Sequence, residues 1–280
     1  MTLDPRLNVV RDDLAAESLR GVVDVPRFTA GVPMAVTAPI APLRKRGDAA
    51  APQVTEALFG EVVHVYERRD GWAWVQLEID GYVGYVEETA LGPTGHRSTH
   101  AVSAPKTFVY PEANLKTPPL HALYLHARLT VLETVDRYAR LETGGYVHTA
   151  HLSTRGPMVT DPAAVTENYV GVPYLWGGKS HEGLDCSGLV QISLQAAGIA
   201  CPRDSDMIEA AVGTPLPDER LNNLRRGDLV FWKGHVGMML DAERMIHANG
   251  YHMKVVIEPL KQAVDRIASQ YGTLTSLRRL

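Results

Sequence analysis

Only two of the 280 residues are cysteines, too few for a disulfide framework, so each is either a buried inert thiol or a reactive nucleophile. Cys186 follows Asp185, a good helix N-cap, and opens the run 186–197, with Leu189, Ile192 and Ala196 at helical spacing and Gly198 as a stop. Its thiol is therefore expected in the first helical turn. There the unpaired backbone N–H groups and the helix dipole favour an anion, so a lowered pKa and more thiolate are expected. The plain alternative, a small buried hydrophobe, is assigned to Cys201, which sits between Ala200 and Pro202 with no capping geometry.

A thiolate needs a base, and the base needs a partner that orients it. Of 11 histidines, His64, His96, His100, His121, His126, His148 and His151 fall in a strand-rich stretch and read mostly as surface residues. His181 lies in a glycine-rich turn. His235 starts the apolar run Val236-Gly237-Met238-Met239-Leu240, and His247 ends the run Met245-Ile246. If these runs form a hairpin, the two imidazoles come together. There is no CxxC or HExxH, and the Cys186–Cys201 and His235–His247 spacings fit no usual zinc pattern, so neither metal nor cofactor is expected.

The elements that must position these groups can be read around them. Asp161-Pro162 is a helix start, an N-cap carboxylate followed by proline at the first helical position. Asp204 or Ser205 can cap a second short helix. Strands are expected over 228–232, 236–240, 244–247, 254–257 and 275–278, with Phe231 and Trp232 in the core. Helices followed by strands of antiparallel length predict an α+β domain over 157–280.

Upstream, from Val32 to His151, short apolar runs alternate with Gly, Pro, Asp and Asn. This stretch occurs twice. The segment 58–91 can be laid on 124–152 so that Val65 matches Val131, Glu67 matches Glu133, Trp74 matches Tyr138, Tyr85 matches Tyr146 and Leu91 matches Leu152. Two copies of about 60 residues are two small domains rather than a solenoid, and five or six short strands at that size close a core only as a barrel. The expected division is an irregular arm over 1–28, barrels over 29–94 and 95–156, and the α+β domain over 157–280.

Composition narrows the setting. Hydrophobic residues make up 45% and charged residues 21%, which is ordinary for a globular chain, and a net charge of −4 favours neither nucleic acid nor a membrane surface. The first 21 residues carry Asp4, Asp12, Asp13 and Glu17 and no apolar run of signal-peptide length, so a cytoplasmic monomer is expected.

In chain order, Tyr174-Leu175-Trp176-Gly177-Gly178, Asp185-Cys186-Ser187-Gly188-Leu189-Val190, Arg226-Gly227-Asp228-Leu229-Val230-Phe231, Gly234-His235-Val236-Gly237 and His247-Ala248-Asn249 resemble the NlpC/P60 cysteine peptidases. The upstream repeats, with Gly84-Tyr85-Val86 in the last strand of the first copy, resemble bacterial SH3 (SH3b) domains. The resemblance implies a papain-like core with Cys186 as nucleophile, His235 as base and His247 as the third, polar residue. Two SH3b repeats before such a domain, together with Pro202-Arg203-Asp204-Ser205-Asp206, look like the γ-D-glutamyl-L-diamino acid endopeptidases of murein-peptide recycling. Those enzymes require a free N-terminal L-Ala on the stem peptide. By that resemblance Asp185 and Ser187 help hold its ammonium group, and Tyr174, Trp176, Asp204 and Ser205 line the same subsites. The first repeat adds an acidic residue and a tyrosine, placed at Glu61 and Tyr82, with Tyr85 as the competitor for the latter. From the residues alone, Trp176 can equally be a core aromatic, Glu61 a solvated turn residue, and Asp204 and Ser205 plain helix caps. An amidase or acyltransferase on the same core, and a peptidoglycan-binding protein with a silent catalytic domain, are the competing functions.

Overall fold

In the computed structural model, which describes residues 3–154, 156–217, 221 and 223–280, the apolar runs upstream of position 155 form antiparallel ladders. The chain forms two compact units, Met1–Arg155 and Gly156–Leu280. The first unit holds a seven-stranded sheet in the order Gln53–Leu58, Ile40–Arg44, Val83–Glu87, Trp72–Leu77, Val62–Arg69, Val32–Val36, Leu91–Gly92. Period-two alternation builds it: Val63 and Val65 are buried, while His64 and Tyr66 between and beyond them are only half-buried. Asp70 and Gly71 turn the chain between two of its strands with φ of 52° and 81°. Both central residues of a tight hairpin turn need positive φ, which Asp-Gly tolerates.

Residues 100–154 repeat this layout element by element. The meander Val131–Val135, Tyr138–Leu141, Tyr146–His148 corresponds to Val62–Arg69, Trp72–Leu77, Val83–Glu87. The ladder of each meander shifts register at matching positions, between Val65 and Glu67 and between Val131 and Glu133. Asp136, with φ of 53°, stands where Asp70 stands. A single 3-10 turn precedes each last strand, Glu88–Ala90 and Thr149–His151. Phe59, Val102, Val109, Leu123, Leu129, Leu141 and Val147 form the core of this second block. The arm is anchored rather than loose: Val9, Leu14 and Ala16 pack with Trp74, and the Arg11 guanidinium lies 4.3 Å over the Trp74 ring.

The second unit is built on a six-stranded antiparallel sheet ordered Thr214–Leu216, Leu274–Arg279, Leu229–Trp232, His235–Met239, Arg244–Asn249, Lys254–Pro259. Four helices accompany it among the described residues: α1 (Pro162–Glu167), α2 (Cys186–Ala196), α3 (Ser205–Ala211) and α4 (Leu260–Tyr271). The five expected strands all occur, with ends within two residues of the expected ones. Four elements were not foreseen among the described residues, including the short paired strands Lys179–Ser180 and Gly183–Leu184. The strand Thr214–Leu216 is three residues long and carries Pro215, which fits only an edge. Helix α4 follows Pro259 with no side-chain cap, so the usual start signal is missing, although Leu260, Ala263 and Ile267 bury an i, i+3, i+7 face. Phe231 and Trp232 are core residues, as expected.

Candidate active site

Helix α2 begins at the nucleophile candidate because Asp185 caps it. Asp185 Oδ1 accepts from the Gly188 N–H at 2.6 Å, and Cys186 is the first helical residue. Gly188 is required by close approach: a Cβ there would lie 2.1 Å from the Gly178 carbonyl oxygen. Helix α2 ends at Ala196, and Gly198 takes the left-handed φ of 76° just beyond it. Cys186 is buried, and its Sγ faces the Gly234 carbonyl at 4.0 Å. The Val236 N–H approaches it from the other side of His235. The thiol therefore lies against the strand that carries His235.

The hairpin expected from sequence brings the imidazoles together. The strands His235–Met239 and Arg244–Asn249 pair with Met238 opposite Ile246, which puts residues 235 and 247 on one face as diagonal neighbours. His235 Nε2 and His247 Nδ1 are 2.8 Å apart. On its other side, His247 Nε2 lies 2.6 Å from Glu258 Oε1. Glu258 comes from the next strand, Lys254–Pro259, and its Oε1 also receives Arg266 Nη2 from α4. Asn249 Nδ2 lies 2.9 Å from His247 Nε2, and its Oδ1 accepts the His252 N–H at 2.8 Å.

The electrostatics differ from the expectation of a lowered thiol pKa. Burial pushes the Cys186 thiol up to about 12, and the nearby Asp185 charge adds to this; the Val236 and Ser187 N–H groups and Arg203 oppose it without winning. A helix N-terminus favours a thiolate only where the ion is not also stripped of water. Burial likewise lowers His235, to about 3, with the charges of His247 and Arg266 acting in the same sense. His247 is lowered by burial against the opposing pull of Glu258. Burial acts to raise the Glu258 carboxyl, but its bond to His247 and the Arg266 charge hold it below its ordinary value. Burial thus favours the neutral form of the thiol and of both imidazoles.

A second network engages Asp185 and Ser187. Asp185 Oδ2 accepts from Arg203 Nη2 at 2.7 Å and from the Gly177 N–H at 2.9 Å. Its Oδ1 takes Arg203 Nη1 at 2.9 Å as well as the Gly188 N–H. Ser187 Oγ is held between Asp185 Oδ1 and Arg203 Nη1, at 3.2 and 2.8 Å. Four lone-pair directions are thus filled from inside the protein, and the charge is neutralised by a bidentate guanidinium. Asp185 is thereby the cap and counter-ion that fixes the α2 start.

The other expected site residues separate. Tyr174 and the exposed Trp176 line a cavity of about 480 Å³ with Lys233, His235, Tyr251 and Arg266, so Trp176 is not a core aromatic. Asp204 stands at the N-cap of α3 but its side chain makes no cap bond, and Ser205 is buried as the first helical residue. In the other unit Glu61 is buried, with Oε2 accepting the Leu58 N–H at 3.0 Å, so it is not a solvated turn residue. Tyr82 is buried, while Tyr85 is half-buried and bonds through its OH to Arg11 Nη1 at 2.9 Å. Cys201 is buried, with Sγ against its neighbour's carbonyl, Pro202 O, at 3.4 Å. No cluster of His, Cys, Asp and Glu able to hold a metal occurs among the described residues. Sequence reading missed Glu258 and Arg266; strand alternation places 254, 256 and 258 on one side, but nothing local links that side to His247.

The NlpC/P60 family matches residues 171–268, and the bacterial dipeptidyl-peptidase SH3 domain matches residues 43–91. A dipeptidyl-peptidase 6 of Lysinibacillus sphaericus is 28% identical over 238 residues, covering 76% of this chain and 86% of that protein. A γ-D-glutamyl-L-lysine dipeptidyl-peptidase of Bacillus subtilis is 29% identical over 226 residues, covering 69% and 71%. The crystal structure of an NlpC/P60 family protein from Bacillus cereus superposes with a TM-score of 0.74 at 22% identity, covering 89% of this chain and 99% of that one, which establishes a shared fold.

Proposed function

Starting from an NlpC/P60 domain of the cysteine-peptidase class preceded by a bacterial SH3 domain, we propose that the protein hydrolyses the γ-D-Glu–L-diamino acid bond of murein stem peptides with a free N-terminal L-Ala, in recycling of cell-wall peptides. The observation that carries this reading is the Cys186-bearing helix start set against the strand of His235, itself bonded to His247. It is joined to homology with γ-D-glutamyl-L-lysine dipeptidyl-peptidases along about 70% of the chain. The repeated bulge, turn and 3-10 elements support a second SH3-type barrel over residues 95–156, after the first over 29–94.

The chemistry follows from the resting protonation. His235 Nε2 is engaged by His247, which leaves Nδ1 to take the thiol proton as Cys186 Sγ attacks the γ-carbonyl carbon of D-Glu. The Cys186 N–H at the helix start is a donor for the developing oxyanion. The imidazolium then protonates the leaving amine of the diamino acid, and water hydrolyses the thioester with His235 again as base. By the same resemblance Asp185, Ser187 and Asp204 contribute to the ammonium subsite, and Tyr174, Trp176 and Ser205 line the cleft. A carboxylate at that position matters because a buried unpaired ammonium is costly.

The test is mass spectrometry of products from free tripeptide, N-acetylated tripeptide and intact peptidoglycan. The expected result is release of L-Ala-γ-D-Glu from the free tripeptide alone. Equal cleavage of the acetylated peptide would overturn the ammonium requirement. Transfer of the acyl group to an amine without hydrolysis would favour the acyltransferase reading.

A further inference from the structure

One ring nitrogen in the second unit receives contradictory demands. His247 Nε2 has a carboxylate oxygen at 2.6 Å, Glu258 Oε1, and an amide nitrogen at 2.9 Å, Asn249 Nδ2. The carboxylate can only accept, so it requires a proton on Nε2. The amide nitrogen can only donate, so it requires Nε2 to be bare. The Asn249 amide cannot reverse to remove the conflict, because its Oδ1 accepts the His252 N–H at 2.8 Å.

The two outcomes propagate to the nucleophile. With Nε2 protonated, His247 Nδ1 is a lone pair, the proton of the 2.8 Å contact belongs to His235 Nε2, and His235 Nδ1 is a lone pair able to take the thiol proton. With Nε2 bare, His247 carries its proton on Nδ1 and donates it to His235 Nε2. His235 then bears its own proton on Nδ1 and has no lone pair to offer the thiol. One tautomer chain is a base, and the other is not.

We propose that Glu258 is a positioning residue that selects the productive tautomers of His247 and His235 against the opposing amide of Asn249. Arg266 supports this choice, since its Nη2 ion-pairs with the same Oε1 that faces His247 and keeps that oxygen an acceptor. The groups facing the pair from neighbouring elements are His235, Asn249, His252 and Arg266, and Glu258 is the one anion in direct contact with His247 among the described residues. The proposal rests on His235 being the base for Cys186, but not on the peptide substrate.

The test therefore uses a small alkylating agent rather than a peptide. In Glu258→Ala the rate of Cys186 alkylation by chloroacetamide at pH 7 is expected to fall about tenfold or more, as loss of a general base does. Imidazole 15N shifts should move the His235 proton from Nε2 to Nδ1. In the double variant Glu258→Ala/Asn249→Ala both demands are gone, and the rate should recover part of the loss. A purely structural role for Glu258 gives a double variant no faster than the single one and overturns the proposal. Glu258→Gln keeps the volume if the alanine variant does not fold; its carboxamide can present either atom, so a smaller fall with mixed tautomers is expected. An unchanged rate with unchanged 15N shifts in either folded variant would also overturn it. Failure of peptide cleavage with this alkylation pattern intact would count against the substrate reading alone.

Discussion

The two cysteines separate on what surrounds them. Cys186 opens a capped helix and faces the backbone on both sides of His235, whereas the Cys201 Sγ lies 3.4 Å from the carbonyl oxygen of the next residue, Pro202. Cys186→Ala should abolish turnover and leave peptide binding within about twofold, since it removes the nucleophile and little volume. Cys201→Ala should retain turnover, at a stability cost of about 1 kcal/mol for a small buried side chain. Steady-state rates and peptide titration by calorimetry measure both; a dead, folded Cys201→Ala would reassign the nucleophile. The raised Cys186 pKa and lowered His235 pKa bear on the same residues. Free enzyme should alkylate slowly at pH 7, with the rate still climbing above pH 9, and a plateau below pH 6 would instead reveal a standing ion pair.

Helix α2 is the element on which the site depends, and its start is built from non-local parts. Asp185 is paired to Arg203 with Arg203 fully buried, so breaking the pair leaves an uncompensated buried carboxylate. Arg203→Met should cost about 3–5 kcal/mol in urea unfolding of the second unit. Gly188→Ala, whose Cβ would meet a backbone oxygen at 2.1 Å, should cost about 1–3 kcal/mol because backbone must shift. These cases mark what the sequence could and could not disclose. The Asp185–Cys186 helix start and the His235/His247 hairpin were legible because capping and strand alternation are local rules. The Asp185–Arg203 pair spans 18 residues and Glu258 reaches His247 from another strand, so no window contains both partners. The thiol pKa was misjudged for the same reason: the helix dipole is local, but desolvation belongs to the whole packed unit. The repeat was legible as matched residues, Val65 with Val131 and Glu67 with Glu133, but not the register shift that both copies place between them.

At the scale of the whole molecule, burying the paired imidazoles in their neutral form ties the proposed activity to acid stability. His235 has a folded pKa of about 3, and His247 is lowered too, while the same side chains in the unfolded chain titrate near 6.5. The unfolded state therefore binds protons first as pH falls. The contribution is fully present above about pH 6.5 and is lost progressively on acidification toward the folded value, at about 1.4 kcal/mol per pH unit for each ring. Carboxylates of this unit with lowered pKa enter near and below their ordinary values, 3.8 for Asp241 and 4.5 for Glu258, so the imidazoles dominate the range from pH 6.5 to 5. His121 and His151 are also lowered by burial, but they belong to the first unit and bear on its unfolding. Urea unfolding followed by Trp232 and Trp176 fluorescence, with Trp72 and Trp74 replaced by Phe, would report the second unit. Between pH 6.5 and 5 its stability should fall with a slope reduced in His235→Asn by about 1.4 kcal/mol per pH unit. Identical slopes in the two proteins would mean that His235 is charged in the folded state, and the neutral resting site would have to be abandoned.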